Sequence, residues 1–515
     1  MSVLVVGGGL AGLSTALFLA WHRVPVVLVE RRAHALRHPR ARAVNNRTME
    51  LYRRVGLGPA IQAARSHDDE AGALLVRAQT LAGPELWRRE AAPPGRAEAA
   101  SPCPWGSIDQ DRLEDLVRQR AEQLGADVRF GTALRSVDLD ADGVSAELAG
   151  TGGTTTLRAR YLVAADGNRS GIRARLGIGM TGPGVLGEIL TFVFEADLSE
   201  ALRGRRVVVA HLEQPRPGTV ILPYDGKRKW VFSTPYTPDV DGSPEDLAEP
   251  AGVELVRAAV GDADLPVKLL PQLADGTRVL AYQLGASVAD RFRDGPVFLV
   301  GDAAHVLPPA GAFGASTGVQ DAHNLAWKLA AVLRGDAGEA LLDTYETERR
   351  HVATFTLEQA LLQMRERTGR PVEGSHGDPV DYDAVVFGYR YPTNGCPPAG
   401  PAAITPQLLY GQPGTRAPHV PVVRDGAAIS TIDLYGPEFV LVTGDAGNGW
   451  AAAAGELPLR VVRIGAPEFW TAHALPDDGA LLVRPDGFVA WRGEGHTAPD
   501  EVRAALARAL HRERS

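Results

Sequence analysis

The chain begins with two short apolar runs that are separated by a glycine-rich turn and a helical segment. Val3–Val6 is continuously apolar, which is typical of a parallel strand buried on both faces, and it leads directly into GGGLAG at Gly7–Gly12. A segment with helical character follows from Leu13 to about His22, and a second apolar run, Pro25–Val29, ends at Glu30. This order predicts a strand–turn–helix–strand unit.

The pattern of apolar positions then changes several times along the chain. Helical periodicity predicts helices over Arg47–Val55, Gln110–Gly125, Gly318–Leu333, Leu341–Arg365 and from Pro499 onward. Short apolar or alternating runs predict strands at Val128–Leu134, Val144–Leu148, Tyr161–Ala165, Ile189–Ala196, Arg206–Leu212, Thr219–Pro223, Lys229–Ser233, Val279–Val288, Val297–Val300, Phe439–Thr443, Leu459–Ile464, Ala480–Val483 and Val489–Arg492.

These elements indicate an α/β protein with more than one domain. Residues 1–181 and 290–365 form a discontinuous Rossmann-like domain in this interpretation, and residues 182–289 form an inserted, mostly antiparallel β domain. Residues 366–404 are rich in Gly and Pro and are predicted to be a linker or wrapping segment, and residues 405–515 a small α/β unit.

Composition narrows the class of protein. The 515 residues are 45% apolar and 23% charged, with a net charge of −8, which is typical of a globular protein and argues against a nucleic-acid partner. Only Cys103 and Cys396 are present, so a CxxC redox pair and a thiolate metal site are excluded, and we expect no metal. No apolar run is long enough to span a membrane, and no signal peptide is visible, so we predict a cytoplasmic protein.

The first glycine-rich turn has the GxGxxG spacing of a dinucleotide-binding site, at Gly7, Gly9 and Gly12. The glycines permit a tight turn, close approach of a pyrophosphate to the backbone, and close packing of helix against strand. The following helix offers unpaired N–H groups to the phosphate, and Glu30 can accept hydrogen bonds from a ribose hydroxyl. A purely structural turn would not require the strand–helix–strand–acid context.

A second glycine-rich stretch, GDAAHVLPPAGAFGASTG at Gly301–Gly318, follows the apolar run Val297–Val300. It could be only a surface loop, because Gly and Pro mark turns. Together with the distant dinucleotide motif, however, it suggests the second half of a flavin site. Asp302 would accept from a ribityl hydroxyl, and the glycines would let the backbone approach a flat ring. We therefore predict FAD rather than NAD as the bound cofactor, since only one dinucleotide motif is present.

Three ordered motifs then make the chain recognisable: Gly7–Gly12, the DGxxSxxR pattern at Asp166–Arg173, and Gly301-Asp302. They resemble those of the single-component FAD-dependent aromatic hydroxylases with the p-hydroxybenzoate hydroxylase fold. Further segments resemble the aromatic polyketide hydroxylases within that family: His38–Ala41, Arg47–Glu50, Gln110–Glu114, Tyr345–Arg350 (YETERR), Gly414–His419 (GTRAPH), Ser430–Leu434 and Leu482–Arg492.

The resemblance implies a substrate-binding role for the inserted β domain and a thioredoxin-like C-terminal domain without redox cysteines, and it allows a homodimer. It also implies that Arg40 and Gln110 lie near the flavin and that Asp166 serves both FAD and NAD(P)H. We expect the following residues to contact FAD: Gly7, Gly9, Leu10, Ala11, Gly12, Glu30, Arg31, Arg40, Gln110, Leu134, Asp166, Asp302, Pro309, Gly314, Ala315 and Ser316.

Two positions depart from the family pattern Pro-Pro-x-Gly-Gly-x-Gly-x-Asn. Ala312 replaces the second glycine, which predicts that positive φ is disfavoured there, and Ser316 replaces the asparagine, which removes an amide that could contact the flavin edge. His305 invites a catalytic role, but we interpret it as a histidine with local structural hydrogen bonds. Candidate substrate contacts are Trp105, Tyr224, Trp230, Tyr282 and Arg365, with Arg365 as a group that polarises a substrate oxygen.

The reaction implied by the resemblance uses NADPH or NADH to reduce FAD and O2 to form a C4a-hydroperoxide, which hydroxylates a phenolic ring of a polycyclic aromatic polyketide in antibiotic biosynthesis. No catalytic protein side chain is required, because the cofactor carries the chemistry. Two alternatives stay open: a Baeyer–Villiger or antibiotic-inactivating monooxygenase on the same fold, and a non-catalytic flavin-fold binding protein. A halogenase is disfavoured by the absence of a Trp-x-Trp-x-Ile-Pro segment.

Overall fold

The computed structural model describes residues 2–35, 40–65, 72–91, 100–140, 142–224, 228–273, 275–393, 400–455, 457–495 and 499–512. Its strands are β1 (Val3–Val6), β2 (Val26–Glu30), β3 (Leu74–Ala78), β4 (Glu85–Glu90), β5 (Asp127–Phe130), β6 (Ala133–Asp140), β7 (Gly143–Gly150), β8 (Gly153–Ala159), β9 (Tyr161–Ala164), β10 (Met180–Glu195), β11 (Val207–Leu212), β12 (Thr219–Pro223), β13 (Lys229–Tyr236), β14 (Lys268–Leu270), β15 (Val279–Ala289), β16 (Arg293–Asp294), β17 (Val297–Leu299), β18 (His305–Val306), β19 (Pro421–Arg424), β20 (Ala427–Ser430), β21 (Phe439–Thr443), β22 (Leu459–Arg463), β23 (Ala480–Val483) and β24 (Val489–Gly493).

The helices are Leu10–Trp21, Asn46–Arg54, Gly58–Ala63, Gln110–Gln123, Gly171–Arg175, Ser199–Leu202, Pro238–Asp241, Ala251–Val260, Phe313–Leu333, Asp343–Thr368, Tyr382–Phe387, Asn448–Ala454, Pro467–Ala472 and Pro499–Ala509. Among the described residues, none of these helices combines the length and apolar composition that crossing a bilayer requires.

The predicted strand–turn–helix–strand unit is the centre of a six-stranded sheet with the order β16-β17-β9-β1-β2-β5. The four pairings from β17 to β5 are parallel. All residues of β1 and β2 are buried, because the helix Leu10–Trp21 and its neighbours cover the sheet. This arrangement explains the continuous apolar runs, since a parallel sheet has no solvent face.

The second large sheet has nine strands, with the order β18-β15-β10-β13-β12-β11-β3-β4 and β14 paired to β10. It is mostly antiparallel, as predicted, but it extends beyond residues 182–289. β3 pairs with β11 in parallel, and β4 continues from β3 as a hairpin. Residues 74–90, which the sequence analysis assigned to the Rossmann-like domain, therefore form one edge of the inserted sheet.

One predicted strand, Val128–Leu134, is divided in the structure. Gly131 has a φ of +69°, a left-handed conformation that glycine adopts at little cost. The chain turns there, so that β5 joins the six-stranded sheet whereas β6 begins the separate three-stranded sheet β6-β7-β8. An apolar run alone does not reveal such a turn.

The C-terminal unit contains a four-stranded mixed sheet with the order β22-β21-β23-β24, covered by short helices. β21 and β22 are parallel and the other pairs antiparallel, which agrees with the predicted thioredoxin-like arrangement. Cys103 is buried and free, whereas Cys396 lies outside the described residues.

Buried ion pairs attach this unit to the rest of the molecule. Arg484 donates to both oxygens of Glu348 at 2.6 and 2.8 Å, and Lys328 Nζ lies 2.7 Å from the same carboxylate. Arg416 forms a second pair with Glu50, with Nε 3.0 Å from Oε2. Such charges tolerate burial only because each is paired and hydrogen-bonded. Two of the motifs in the C-terminal region, GTRAPH and LVRPDGFVAWR, thus supply docking contacts.

We expect Arg484→Met to lower the free energy of unfolding by about 3 kcal/mol, because it leaves the buried Glu348 carboxylate without its bidentate partner. The measurement is urea unfolding of the FAD-loaded protein. Arg53→Met is the matched control, since Arg53 also bridges to the C-terminal unit, at Asp433, but its side chain is 44% exposed. This control should cost about 1 kcal/mol or less. Equal losses in the two variants would contradict the proposed role of burial.

Candidate active site

A cavity of about 1990 Å³ extends from the carboxyl ends of β1 and β2 to the face of the nine-stranded sheet. Gly7, Gly9 and Glu30 line one end, and Thr191 of β10 and Tyr282 of β15 line the wall of the sheet. Ligands of α/β folds bind outside the carboxyl ends of parallel strands. Most of the residues predicted to contact cofactor therefore lie around one space.

The glycine-rich turn has the geometry that its spacing predicts. Gly7 has a φ of +115°, and a Cβ atom on Gly12 would lie 2.0 Å from the Gly7 carbonyl oxygen. The helix Leu10–Trp21 can leave the strand this closely only with glycine at both places. Gly12 itself does not line the cavity, whereas Leu10 and Ala11 do. Gly12 thus acts on the site through backbone packing.

Glu30 is fixed at the end of β2 by two backbone donors. The Gly8 N–H donates to Oε2 at 2.7 Å, and the Arg32 N–H donates to Oε1 at 2.9 Å. Each carboxylate oxygen retains a further lone pair. Glu30 can therefore still accept a hydroxyl hydrogen from the cavity, which it lines together with Arg31.

Asp166, at the end of β9, has one oxygen in use and one without a partner. Oδ2 accepts from the Ile172 N–H at 3.2 Å, whereas Oδ1 is buried and has no hydrogen-bond partner among the described residues. Buried acceptors are rarely left unsatisfied, and Asp166 lines the cavity. A hydroxyl-rich dinucleotide fits this position, because its sugar can supply the missing donor.

Arg40 and Gln110 meet at the buried carboxylate of Glu114. Arg40 donates to Oε2 at 2.7 Å and Gln110 to Oε1 at 2.8 Å. Burial raises the pKa of Glu114, although Arg40 and Gln110 oppose that rise. Both predicted residues also line the cavity, while His38 and Pro39 of the same motif lie outside the described residues. Glu114, which the sequence analysis did not single out, holds the two side chains in place.

The second predicted element, Gly301-Asp302, follows β17 as a turn. Asp302 lines the cavity, as do Pro309, Gly314 and Ala315. Desolvation by the surrounding protein raises the pKa of the Asp302 carboxyl, and electrostatic interactions with His305 and Arg40 oppose this rise. Arg173 of the DG segment donates to the Ala303 carbonyl at 2.9 Å. The two distant motifs are therefore joined directly.

Asp321 holds this turn from behind. Its fully buried carboxylate accepts from the Gly301 N–H at 3.2 Å, lies 2.7 Å from His305 Nε2, and accepts from Arg349 Nε at 2.8 Å. Burial alone would raise the pKa of Asp321, but His305 and Arg349 reverse the effect and lower it. His305 is fully buried and does not line the cavity, in keeping with its structural interpretation.

Comparison with known proteins identifies the family to which these motifs belong. A family model described as an FAD binding domain matches residues 1–360, and a model described as the C-terminal domain of aromatic-ring hydroxylases matches residues 410–512. The chain belongs to the FAD-dependent aromatic-ring hydroxylases. The predicted family and the predicted cofactor FAD are confirmed, and the residues at the dinucleotide end of the hydroxylase fit that cofactor.

The similarity extends over almost the whole hydroxylase. It is 40% identical to the tetracenomycin A2 monooxygenase-dioxygenase of Streptomyces glaucescens, with 99% of this chain and 97% of the relative covered. It is 39% identical to an aklavinone 12-hydroxylase of Streptomyces purpurascens, with the same coverage of 99% and 97%. The crystal structure of aklavinone-11 hydroxylase in a ternary complex with FAD and aklavinone matches with a TM-score of 0.91, at 36% identity and 99% coverage of both chains.

Three of the five predicted substrate contacts of the hydroxylase, Trp105, Trp230 and Tyr282, line the cavity. Trp105 stacks on Tyr382 with ring centroids 5.4 Å apart. Trp230 is mostly core: it is 6% exposed and donates from Nε1 to the Ala196 carbonyl at 3.2 Å. Of these three residues, Trp105 and Tyr282 are therefore the ones that can present much of their surface to a ligand.

Tyr224 and Arg365 do not line the cavity. The Tyr224 carbonyl accepts from Arg42 at 2.9 Å, and the Arg42 guanidinium lies 5.2 Å from the Tyr224 ring centroid. Arg365 donates to the Ser375 carbonyl at 2.7 Å and to the Gly377 carbonyl. Its guanidinium therefore fixes the segment after the helix Asp343–Thr368, a role that differs from the predicted polarisation of a substrate oxygen.

Two predictions about the stretch Gly301–Gly318, whose last residues begin the helix Phe313–Leu333, need correction. Ala312 adopts a φ of +54°, although alanine was expected to disfavour positive φ there; the strain costs roughly 1–2 kcal/mol. Ser316 is buried and accepts from the Asn45 N–H at 3.1 Å instead of lining the cavity. Gly318 lines the cavity and also packs against Gly301, where a Cβ on Gly318 would lie 3.0 Å from the Gly301 Cα. It thus allows two backbones to meet.

Asp321 escaped the sequence analysis because its partners are distant in sequence. The available signal was a group of polar residues within an otherwise apolar helical pattern. In the structure Asp321, His323, Asn324 and Lys328 are all buried. Within the described part of the chain, no group of three or more His, Cys, Asp or Glu side chains could hold a metal ion.

We expect Asp321→Asn to raise the dissociation constant of FAD by about tenfold or more, since it removes the charge that holds Gly301, His305 and Arg349 together. The measurement is flavin fluorescence on dilution of the holoenzyme. Asp336→Asn is the control, because that carboxylate lies just beyond the same helix and is 42% exposed. Unchanged FAD affinity in Asp321→Asn, with the protein folded, would contradict the positioning role.

Proposed function

We propose that this hydroxylase uses NADPH or NADH together with O2 to hydroxylate a phenolic ring of a polycyclic aromatic polyketide, in antibiotic biosynthesis. The observation that carries the proposal is the volume of the cavity, about 1990 Å³. Pockets for one small molecule usually measure about 300–1,000 Å³. The cavity thus has room for a multi-ring substrate beside the cofactor.

The apolar side chains that the nine-stranded sheet contributes to the cavity favour an apolar, flat ligand. Val209 of β11, Val220 and Leu222 of β12, and Leu284 of β15 face the cavity. Two of the polar groups on this wall satisfy each other, since Ser233 donates to Thr191 at 3.0 Å; His211 of β11 is a polar exception on the same wall. Such a surface orients fused rings by shape and keeps water away from the reacting carbon.

The protein contributes binding, orientation and exclusion of water, whereas bound FAD supplies electron transfer and oxygen activation. Asp302 and the turn that Asp321 supports would position the cofactor, and Trp105 would stack beside the substrate. Relatives named for tetracenomycin A2 and aklavinone support an aromatic polyketide as the substrate. The use of NADPH or NADH as electron donor and a homodimer stay predictions.

We expect a tetracyclic phenol such as an anthracyclinone to accelerate anaerobic reduction of the bound flavin by NADPH by about tenfold or more, which corresponds to about 1.4 kcal/mol in the barrier. Stopped-flow absorbance of the flavin measures the rate, and NADH is tested in parallel. The fully O-methylated anthracyclinone is the control, because it retains the rings but offers no phenol.

Product analysis then separates the candidate reactions. An added ring hydroxyl supports the proposal, whereas an ester identifies a Baeyer–Villiger oxygenase. Fast reduction without any phenol would indicate an oxygenase or oxidase that is not gated by substrate. Absence of reduction by both nicotinamide cofactors would overturn the monooxygenase assignment and favour a binding protein.

A further inference from the structure

A cluster of nitrogen-bearing side chains lies at the sheet end of the cavity, apart from the residues assigned to FAD. It consists of Arg77 on β3, His211 on β11 and Arg367 in the last turn of the helix Asp343–Thr368. His211 and Arg367 line the cavity. None of the three side chains was predicted to contact FAD or the substrate, so the site described above assigns the cluster no role.

The three side chains are close neighbours. His211 and Arg77 are register partners on adjacent parallel strands, so their side chains leave the same face of the sheet. The Arg77 guanidinium lies against the backbone of Gly369, where an added Cβ would be 1.6 Å from its NH1. Gly369 directly follows the helix and is two residues from Arg367. The end of the helix therefore rests on this pair of strands.

The cluster contains buried nitrogens without partners. Both ring nitrogens of His211, Nε of Arg77 and Nε of Arg367 are buried and make no hydrogen bond within the described part of the chain. The Arg367 guanidinium donates to the amide oxygen of Gln363 at 3.1 Å. A neutral imidazole has one N–H donor and one acceptor nitrogen, so the cluster contains three buried N–H donors without an acceptor, one on His211 and one on each arginine. Buried donors normally have partners, which indicates a missing acceptor.

Two arginines, Arg77 and Arg367, act on the imidazole of His211 at this end of the cavity. Burial, aided by Arg367 and Arg77, lowers the pKa of His211 to about 3, which leaves its imidazole neutral. Burial and Arg89 lower the pKa of Arg367 to about 10, with Tyr382 and Glu366 in partial opposition, so its guanidinium stays protonated at neutral pH. The carboxylate of Glu366 pairs with Arg89 at 2.8 Å instead.

We propose that Arg367, with His211 and Arg77 beside it, binds an anionic oxygen group of the ligand that occupies the cavity. A planar guanidinium presents paired N–H donors that match a carboxylate or a phosphate. The group is a carboxylate or an acidic enol oxygen of the aromatic substrate, or the phosphate of NADPH; both sources rest on the proposed function. The cluster would then select substrates by charge as well as by ring shape.

The test compares rhein, a dihydroxyanthraquinone carboxylate, with its methyl ester, which has the same rings but no charge. Binding to the oxidised holoenzyme is followed by the absorbance change of the bound flavin and needs no turnover. We expect the wild-type protein to prefer rhein. Arg367→Gln should weaken binding of rhein by about tenfold or more and leave binding of the ester within about threefold.

Two further variants make the result specific. Arg370→Gln removes a cation three residues farther along; its side chain is 52% exposed, pairs with Glu213 and does not line the cavity, so both affinities should stay within about twofold. Arg367→Lys keeps the charge but loses the planar pair of donors, so we expect a loss for rhein of about threefold.

NADPH and NADH are titrated with the same variants. A loss of about tenfold for NADPH but not for NADH or rhein would support the anion site and assign it to the NADPH phosphate. An unchanged ratio of rhein to ester affinity in Arg367→Gln, with NADPH binding also unchanged, would overturn the proposal. If that variant does not retain FAD, His211→Phe and Arg367→Lys decide: an unchanged ratio in both would overturn it.

The two proposals can fail separately. A wild-type protein that prefers rhein to its ester but hydroxylates no phenol would retain the anion site and lose the proposed reaction. A protein that hydroxylates a phenol but shows no preference linked to Arg367 would retain the reaction and lose the anion site.

Discussion

The placement of the FAD-facing turn depends on one buried carboxylate. Asp321 has no contact with solvent, yet it holds the backbone of Gly301, the imidazole of His305 and the guanidinium of Arg349. A charge in the interior is tolerable only with such partners. Because its partners come from the turn after β17 and from the helix Asp343–Thr368, the same ion fixes the FAD-facing turn relative to the scaffold behind it.

The network continues from Arg349 toward the C-terminal unit. Arg349 donates to the Tyr391 hydroxyl at 3.1 Å. The carboxylate of its neighbour Glu348 forms ion pairs with Arg484 and Lys328. Two successive residues of the YETERR motif therefore have different roles: Glu348 pairs with the C-terminal unit, and Arg349 holds Asp321. Tyr345 and Glu346 add to this, since they bond the Leu299 carbonyl and the Phe292 N–H. One helix thus connects the flavin turn, the six-stranded sheet and the C-terminal unit, which accounts for a polar motif in a buried helix.

Sequence reasoning succeeded where one local signal determined the structure. Phe439–Thr443 and Ala480–Val483 have the predicted bounds, because continuous apolar runs between turns leave little choice. It missed β4, whose residues are mainly exposed or half-buried and rich in charge, since an edge strand lacks the apolar pattern. The cofactor glycines could be predicted because spacing alone encodes the turn. The unexpected contacts of Arg365, Tyr224 and Ser316 depend on partners brought close only by the fold.

The origin of β3 and β4 in residues 74–90 has a consequence for how this architecture can be recombined. The large sheet is assembled from three separate stretches of chain, residues 74–90, 180–289 and 305–306, so the segment between β10 and β15 does not form the sheet by itself. A chimera that exchanges that segment alone would set a foreign β11 against the native β3, and with it a new neighbour for Arg77. The juxtaposition of Arg77 and His211 is therefore decided where two separate stretches of chain meet, and neither stretch contains it alone.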